Sequence, residues 1–209
     1  MSASTAFIEA RLRRGGIDGN ARLTSVNGAI LIVLLAVEGV TIVFIGQLIT
    51  LHLFLGMLLL GPIALKLAST GYRFISYYGG RPAYRRKGPP PLALRVLAPG
   101  VVISTLLVAG TGVALLLAGP SSRSSLLPIH KLSFFAWIAL TGVHVLGHLQ
   151  TSLVSLRAEY APGAARAPLA GRGIRLFALV GAVIAGAALA LLLIPDFAAW
   201  QHASFHRRG

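Results

Sequence analysis

Residues 51–70 read LHLFLGMLLLGPIALKLAST. Across this stretch only His52 and Lys66 carry a titratable side chain; the remainder is apolar, small or hydroxyl-bearing. A helix rising 1.5 Å per residue needs about 20 such residues to cross the hydrocarbon core of a bilayer, so the segment predicts a transmembrane helix. Four more segments of the same character flank it, at 26–45, 96–118, 129–149 and 174–194. The chain therefore reads as an all-α integral membrane protein with five transmembrane helices, here numbered spans 1 to 5.

Composition agrees. The 209 residues are 56% hydrophobic and 11% charged, with a mean hydropathy of +0.79, whereas a soluble domain carries about a quarter charged residues. Arg11, Arg13, Arg14 and Arg22 precede span 1, which gives it the outline of a signal peptide. The run is nearly of full bilayer length, begins late, contains Glu38 and lacks a clear small-residue cleavage site, so we read it as retained.

Nineteen Lys and Arg against five Asp and Glu give a formal charge of +14, which out of context suggests a nucleic-acid binder. The position of the cations points elsewhere, because they lie in the gaps between apolar runs. Besides the N-terminal group, Arg73, Arg81, Arg85, Arg86, Lys87 and Arg95 lie between spans 2 and 3, and Arg157, Arg166, Arg172 and Arg175 between spans 4 and 5. The other connections hold only Arg123 and Lys131, with Arg207 and Arg208 in the tail. The positive-inside rule then predicts a multi-pass plasma-membrane protein with a cytoplasmic N-terminus and an outer C-terminus. In the basic loop, Tyr72, Tyr77, Tyr78 and Tyr84 suit headgroup anchoring, and Pro89, Pro90 and Pro91 stiffen the approach to span 3. This composition fits a topogenic, lipid-facing surface, and no nucleic-acid partner is expected.

The chain has no cysteine, so disulfides, thiolate chemistry, iron–sulfur clusters and c-type haem attachment are excluded. Its intramembrane histidines carry the functional information. His52 lies just inside the outer end of span 2 and His130 just inside the outer end of span 4, which predicts a shared depth. His144 and His148 lie about 21 and 27 Å further along span 4, near its cytoplasmic end. Polar side chains in a span are costly and face a bundle interior, a cavity or a bound group. Imidazoles from two facing helices can ligate haem iron from opposite sides, and His52 and His130 meet that requirement as candidate metal ligands of one haem b. Gly56, Gly142 and Gly147 offer small surfaces for a flat ring or for close helix packing. Lys131, beside His130, is a candidate counter-charge for haem propionates, with Arg123 second; Phe134 and Trp137 would wall the cofactor or meet lipid.

With these residues placed, the chain resembles the bacterial cytochrome b561-like membrane proteins, a group that includes the cytochrome b subunits of formate dehydrogenase and nickel–iron hydrogenase. The resemblance covers roughly residues 20–149 and rests most on the fourteen-residue interval from His130 to His144. It implies a four-helix haem-binding bundle at 26–150; hydropathy and charge place a basic cytoplasmic segment at 1–25 before it and a basic loop at 151–173, a fifth helix at 174–194 and an outer tail at 195–209 after it. It also implies that His52 partners His130, and that His144 serves a second, inner haem with a histidine near the start of span 1. That neighbourhood holds Asn20 and Asn27 instead, and amides are poor axial ligands. The second site therefore lacks a partner within the chain.

Glu38 is the only acid inside a span; it can hydrogen-bond a ligand imidazole, take a proton from a quinol or pair across the bundle. Lys66 lies near enough to the cytoplasmic face to snorkel. His202 and His206 have metal-like spacing but no third strong ligand, and read as surface histidines. Span 5, free of ionisable residues between Leu176 and Ile194, reads as a packing or oligomerisation helix. The sequence thus favours haem-based electron transfer between a quinone pool and an outer-face acceptor, with a redox partner subunit or a second copy as companion. The rival is a non-redox scaffold, assembly or transporter-associated protein whose histidines serve helix contacts.

Overall fold

A computed structural model describes residues 3–88, 92–160 and 171–201, with side chains described for all of these except 3–15, Lys87 and 148–160. The described residues are helical apart from short turns: α1 (Ala3–Val43), α2 (Ile45–Tyr78), α3 (Pro82–Lys87), α4 (Leu92–Ala118), a 3-10 turn (Pro120–Ser122), α5 (Arg123–Tyr160), α6 (Arg172–Leu192) and α7 (Ile194–Gln201). Five of these segments are long and apolar enough to cross a membrane, as the sequence predicts. The fold is that of an all-helical, multi-span membrane protein embedded in lipid.

The distribution of side chains is that of a protein solvated by hydrocarbon. Phe177 and Leu192 are 79% and 76% exposed, while Asn27 and Thr41 are 1% and 0% exposed. Lipid is as apolar as leucine, so burying an aliphatic side chain gains little there; hydrogen bonds and close packing hold the helices together instead.

The helices form two compact units, one comprising 1–89 and 169–209, the other 90–168. In the first, α1 and α2 run antiparallel, joined through Phe44 with a non-helical residue at Leu48, close to the turn expected at Gly46 and Gln47. Their contact line carries polar residues at 3-4 spacing. From one end, the Asn20 amide donates to the Ser69 carbonyl at 3.1 Å, Thr24 donates to the Ser69 hydroxyl at 3.1 Å, and Lys66 Nζ donates to the Thr24 carbonyl at 2.9 Å. The Asn27 amide then donates to the Pro62 carbonyl at 2.8 Å. Asn20, Thr24, Asn27, Leu31, Glu38 and Thr41 lie on one helical stripe, and His52, Leu55, Leu59, Pro62, Lys66 and Ser69 on the facing one. Asn27→Leu is expected to destabilise the helix pair by about 1 kcal/mol, the scale of an interhelical hydrogen bond in a membrane. Unfolding titrations from dodecyl maltoside into dodecyl sulfate measure it, and an unchanged midpoint would remove this bond from the account.

α6 packs against α2 at backbone distance. A Cβ added to Gly61 would run into the Ala182 carbonyl, and one added to Gly186 into the Leu58 carbonyl. Pro62 explains the second contact: lacking an N–H, it leaves the carbonyl four residues earlier, that of Leu58, without its helical donor. The freed oxygen lies over Gly186, where only a hydrogen fits, and the approach suits a Cα–H···O contact. α7 completes this unit by burying Phe197 and Trp200 and donating from Gln201 Nε2 to Thr50 Oγ1 at 3.0 Å.

The second unit is the antiparallel pair α4–α5 with its 3-10 turn. Gly119 adopts a φ of 73°, a left-handed conformation that glycine takes without strain, and so turns the chain before Pro120. Gly100 faces Leu140, and Gly147 faces Leu94.

Candidate functional site

His52 leaves α2 one turn past the Leu48 irregularity and meets α1. Its Nδ1 lies 3.0 Å from Glu38 Oε1 and 3.0 Å from Thr41 Oγ1. Thr41 donates to the Glu38 backbone carbonyl at 2.6 Å, and a second contact brings its hydroxyl within 3.2 Å of Glu38 Oε2. Glu38 is itself buried, 9% exposed. A carboxylate accepts, and so does a threonine whose proton lies on a carbonyl, an arrangement that suits the His52 tautomer protonated at Nδ1. The lone pair is then on Nε2, the atom that metals take from a histidine whose other nitrogen is held by a carboxylate. Of the three roles open to Glu38 in the sequence, the structure supplies the hydrogen bond to an imidazole.

His130 repeats this logic with a weaker partner. Its Nδ1 lies 3.0 Å from Thr111 Oγ1 on α4, and Thr111 donates to the Leu107 carbonyl at 2.7 Å. With its proton on that carbonyl, the hydroxyl oxygen can accept from Nδ1–H, an arrangement that suits the tautomer with its lone pair on Nε2. Ser133 reinforces the turn by donating to the His130 carbonyl at 2.9 Å and standing 3.3 Å from Thr111. Gly112 leaves room for the ring, because a Cβ there would lie 3.3 Å from His130 Cε1. Thr111→Val is expected to weaken the α4–α5 pair by about 1 kcal/mol, while Thr111→Ser leaves it unchanged. Equal unfolding midpoints for the two variants would show that the hydroxyl contributes nothing.

His144 lies on the same stripe of α5, two heptads past His130, and is partly exposed. Lys131 is exposed on α5. Trp137 donates from Nε1 to Thr105 Oγ1 at 3.0 Å and stacks at 6.2 Å on Phe134, so its indole serves the α4–α5 contact. The side chain of His148, and His202 and His206 entirely, lie outside the described residues. The structure joins His52 to Glu38 and Thr41 in the first unit and His130 to Thr111 in the second. Among the described residues no group of three or more His, Cys, Asp or Glu converges in the manner of a metal cage; a bis-imidazole haem site needs only two.

Sequence reasoning missed Thr41 and Thr111, the two hydroxyls that fix the imidazoles. The signal for Thr41 was its place three residues after Glu38 on a stripe already marked by Asn20, Thr24 and Asn27. Asn20 and Asn27, which stand where the resemblance would place a histidine, are committed to carbonyls of α2. Comparison with protein-family models, curated proteins and solved structures returned no match, and none ties the chain to the cytochrome b561 proteins.

Proposed function

We propose that the protein is a haem b-binding electron-transfer protein of the plasma membrane, working between a quinone pool and an outer-face acceptor, with its N-terminus in the cytoplasm. The observation that carries this reading is the Glu38–His52–Thr41 constellation, in which oxygens of the buried Glu38 and Thr41 face Nδ1 of the part-buried His52 and suit the tautomer with its lone pair on Nε2. In a medium where each polar group is costly, two such groups placed on one imidazole nitrogen suit a metal ligand. His52 and His130 would each bind haem iron through Nε2, and Lys131 would offset propionate charge. Haem, when bound, supplies one-electron chemistry at a potential set by its axial ligands and their hydrogen bonds.

The chain's own contribution is to orient and to insulate. Glu38 and Thr41 orient the His52 ring, Thr111 orients that of His130, and the apolar surfaces of the spans exclude water. The described part of the first unit contains no imidazole other than His52, and Asn20 and Asn27 are engaged elsewhere, so the proposal is for one haem. The test is optical: protein purified from haem-sufficient cells should show a Soret band and a reduced b-type α band.

A second reading has its own support. The polar side chains of the α1–α2 seam bond across it, mostly to backbone carbonyls of the facing helix, as they would in a non-redox scaffold whose polar groups only pair helices. A folded but colourless protein would select it.

A further inference from the structure

The basic end of α2 is built in a way that topology alone does not require. α2 closes in a Schellman turn: the Gly80 N–H donates to the Tyr77 carbonyl at 3.2 Å and the Arg81 N–H to the Ser76 carbonyl at 3.1 Å. The φ of 82° at Gly80 makes that turn possible. The chain then folds back through α3, which packs against α1 and α2. Arg81 is fixed in place, for its Nη1 donates to the Tyr72 hydroxyl at 2.6 Å and its guanidinium carbon stands 5.3 Å from the Tyr72 ring centroid. Tyr72 in turn meets the edge of the buried Tyr84 at 6.0 Å. Burial and the neighbouring Tyr72 push the Tyr84 phenol above its ordinary range, so it stands as a neutral post.

Arg85 lies one helical turn beyond Arg81, with its N–H on the Arg81 carbonyl at 3.1 Å and its guanidinium folded over Gly80. Two like charges at this spacing repel, yet no acidic residue occurs in sequence between Glu38 and Glu159 to separate them. Arg81, Arg85 and Arg86 are all exposed, at the end of a membrane-spanning helix and beside tyrosines of the kind that sit at headgroup depth. Exposed guanidiniums that meet no carboxylate among the described residues, with Arg81 held by Tyr72, match a phosphate in bidentate geometry.

We propose that Arg81, Arg85 and Arg86 form a docking surface for the headgroup phosphate of an anionic phospholipid. The lipid supplies a counter-charge that no described carboxylate gives these arginines, and the Tyr72–Tyr84 post holds Arg81 toward it. This assignment stands whether or not haem is bound.

The full-length protein, reconstituted in nanodiscs of equal phosphatidylglycerol and phosphatidylcholine, is released into neutral detergent and its retained lipids are counted by mass spectrometry. Phosphatidylglycerol should be retained over phosphatidylcholine by about fivefold or more, the scale expected for one basic residue near an anionic headgroup. Combined Arg81→Gln, Arg85→Gln and Arg86→Gln should bring the ratio close to unity, whereas Arg123→Gln, at the start of α5, should leave it unchanged. Should the triple variant fail to fold, Tyr72→Phe decides, since it keeps every charge and should lower the preference by about twofold through loss of the hydrogen bond to Arg81. An unchanged ratio in the variants, or an equal loss in Arg123→Gln, overturns the proposal. So does displacement of the lipid by inorganic phosphate beyond that caused by chloride at matched ionic strength, which would mark a site for free phosphate.

Discussion

Gly186→Leu is expected to separate α6 from α2 and to destabilise the first unit by about 3 kcal/mol, the upper range for overpacking a close contact. The reason is geometric. The Leu58 carbonyl, left without a helical donor by Pro62, occupies the space a side chain at Gly186 would need, and Gly61 meets the Ala182 carbonyl in the same way. A rigid backbone oxygen cannot swing aside as a side chain can, so the helices must part along their length. Gly181→Leu is the control, because a Cβ there meets nothing within 4 Å. Dodecyl sulfate unfolding should show a large loss for Gly186→Leu and little change for Gly181→Leu; equal midpoints would mean that α6 is not held at this contact.

His52→Ala is expected to abolish haem binding, and Glu38→Gln to retain the haem while weakening it by about 10- to 100-fold, the usual effect of removing a group that orients a metal-binding histidine. Glutamine keeps an acceptor oxygen near Nδ1 but withdraws the negative charge, so the imidazole becomes a poorer donor and the reduction potential rises. Haem retention during dilution and redox titration of the bound fraction measure the two effects. If the histidine serves helix pairing alone, both variants lose stability and neither changes an optical spectrum.

The number and approximate limits of the membrane-spanning helices were legible because a long apolar run has few other stable uses. His52 and Glu38 were legible as costly residues, but their partnership was not: it depends on how α1 faces α2, and that face is marked by polar rather than apolar residues. The Asn20, Thr24, Asn27, Glu38 and Thr41 spacing shows the stripe once it is sought in the polar residues. The α2–α6 contact was hidden for another reason, since glycine is frequent in membrane helices and only the freed Leu58 carbonyl singles out Gly186. α3 and α7 fall in the stretches read as basic loop and outer tail; Pro82 and Pro195 lie in their first turns, where proline needs no N–H and starts helices readily.

The ligand role of the imidazoles is tested most directly by the haem-to-protein ratio of the purified chain, determined beside that of His52→Ala. The account predicts about one haem b per wild-type chain and almost none in the variant, with both proteins folded. Folded wild-type protein without haem, or a ratio that His52→Ala leaves unchanged, would contradict it.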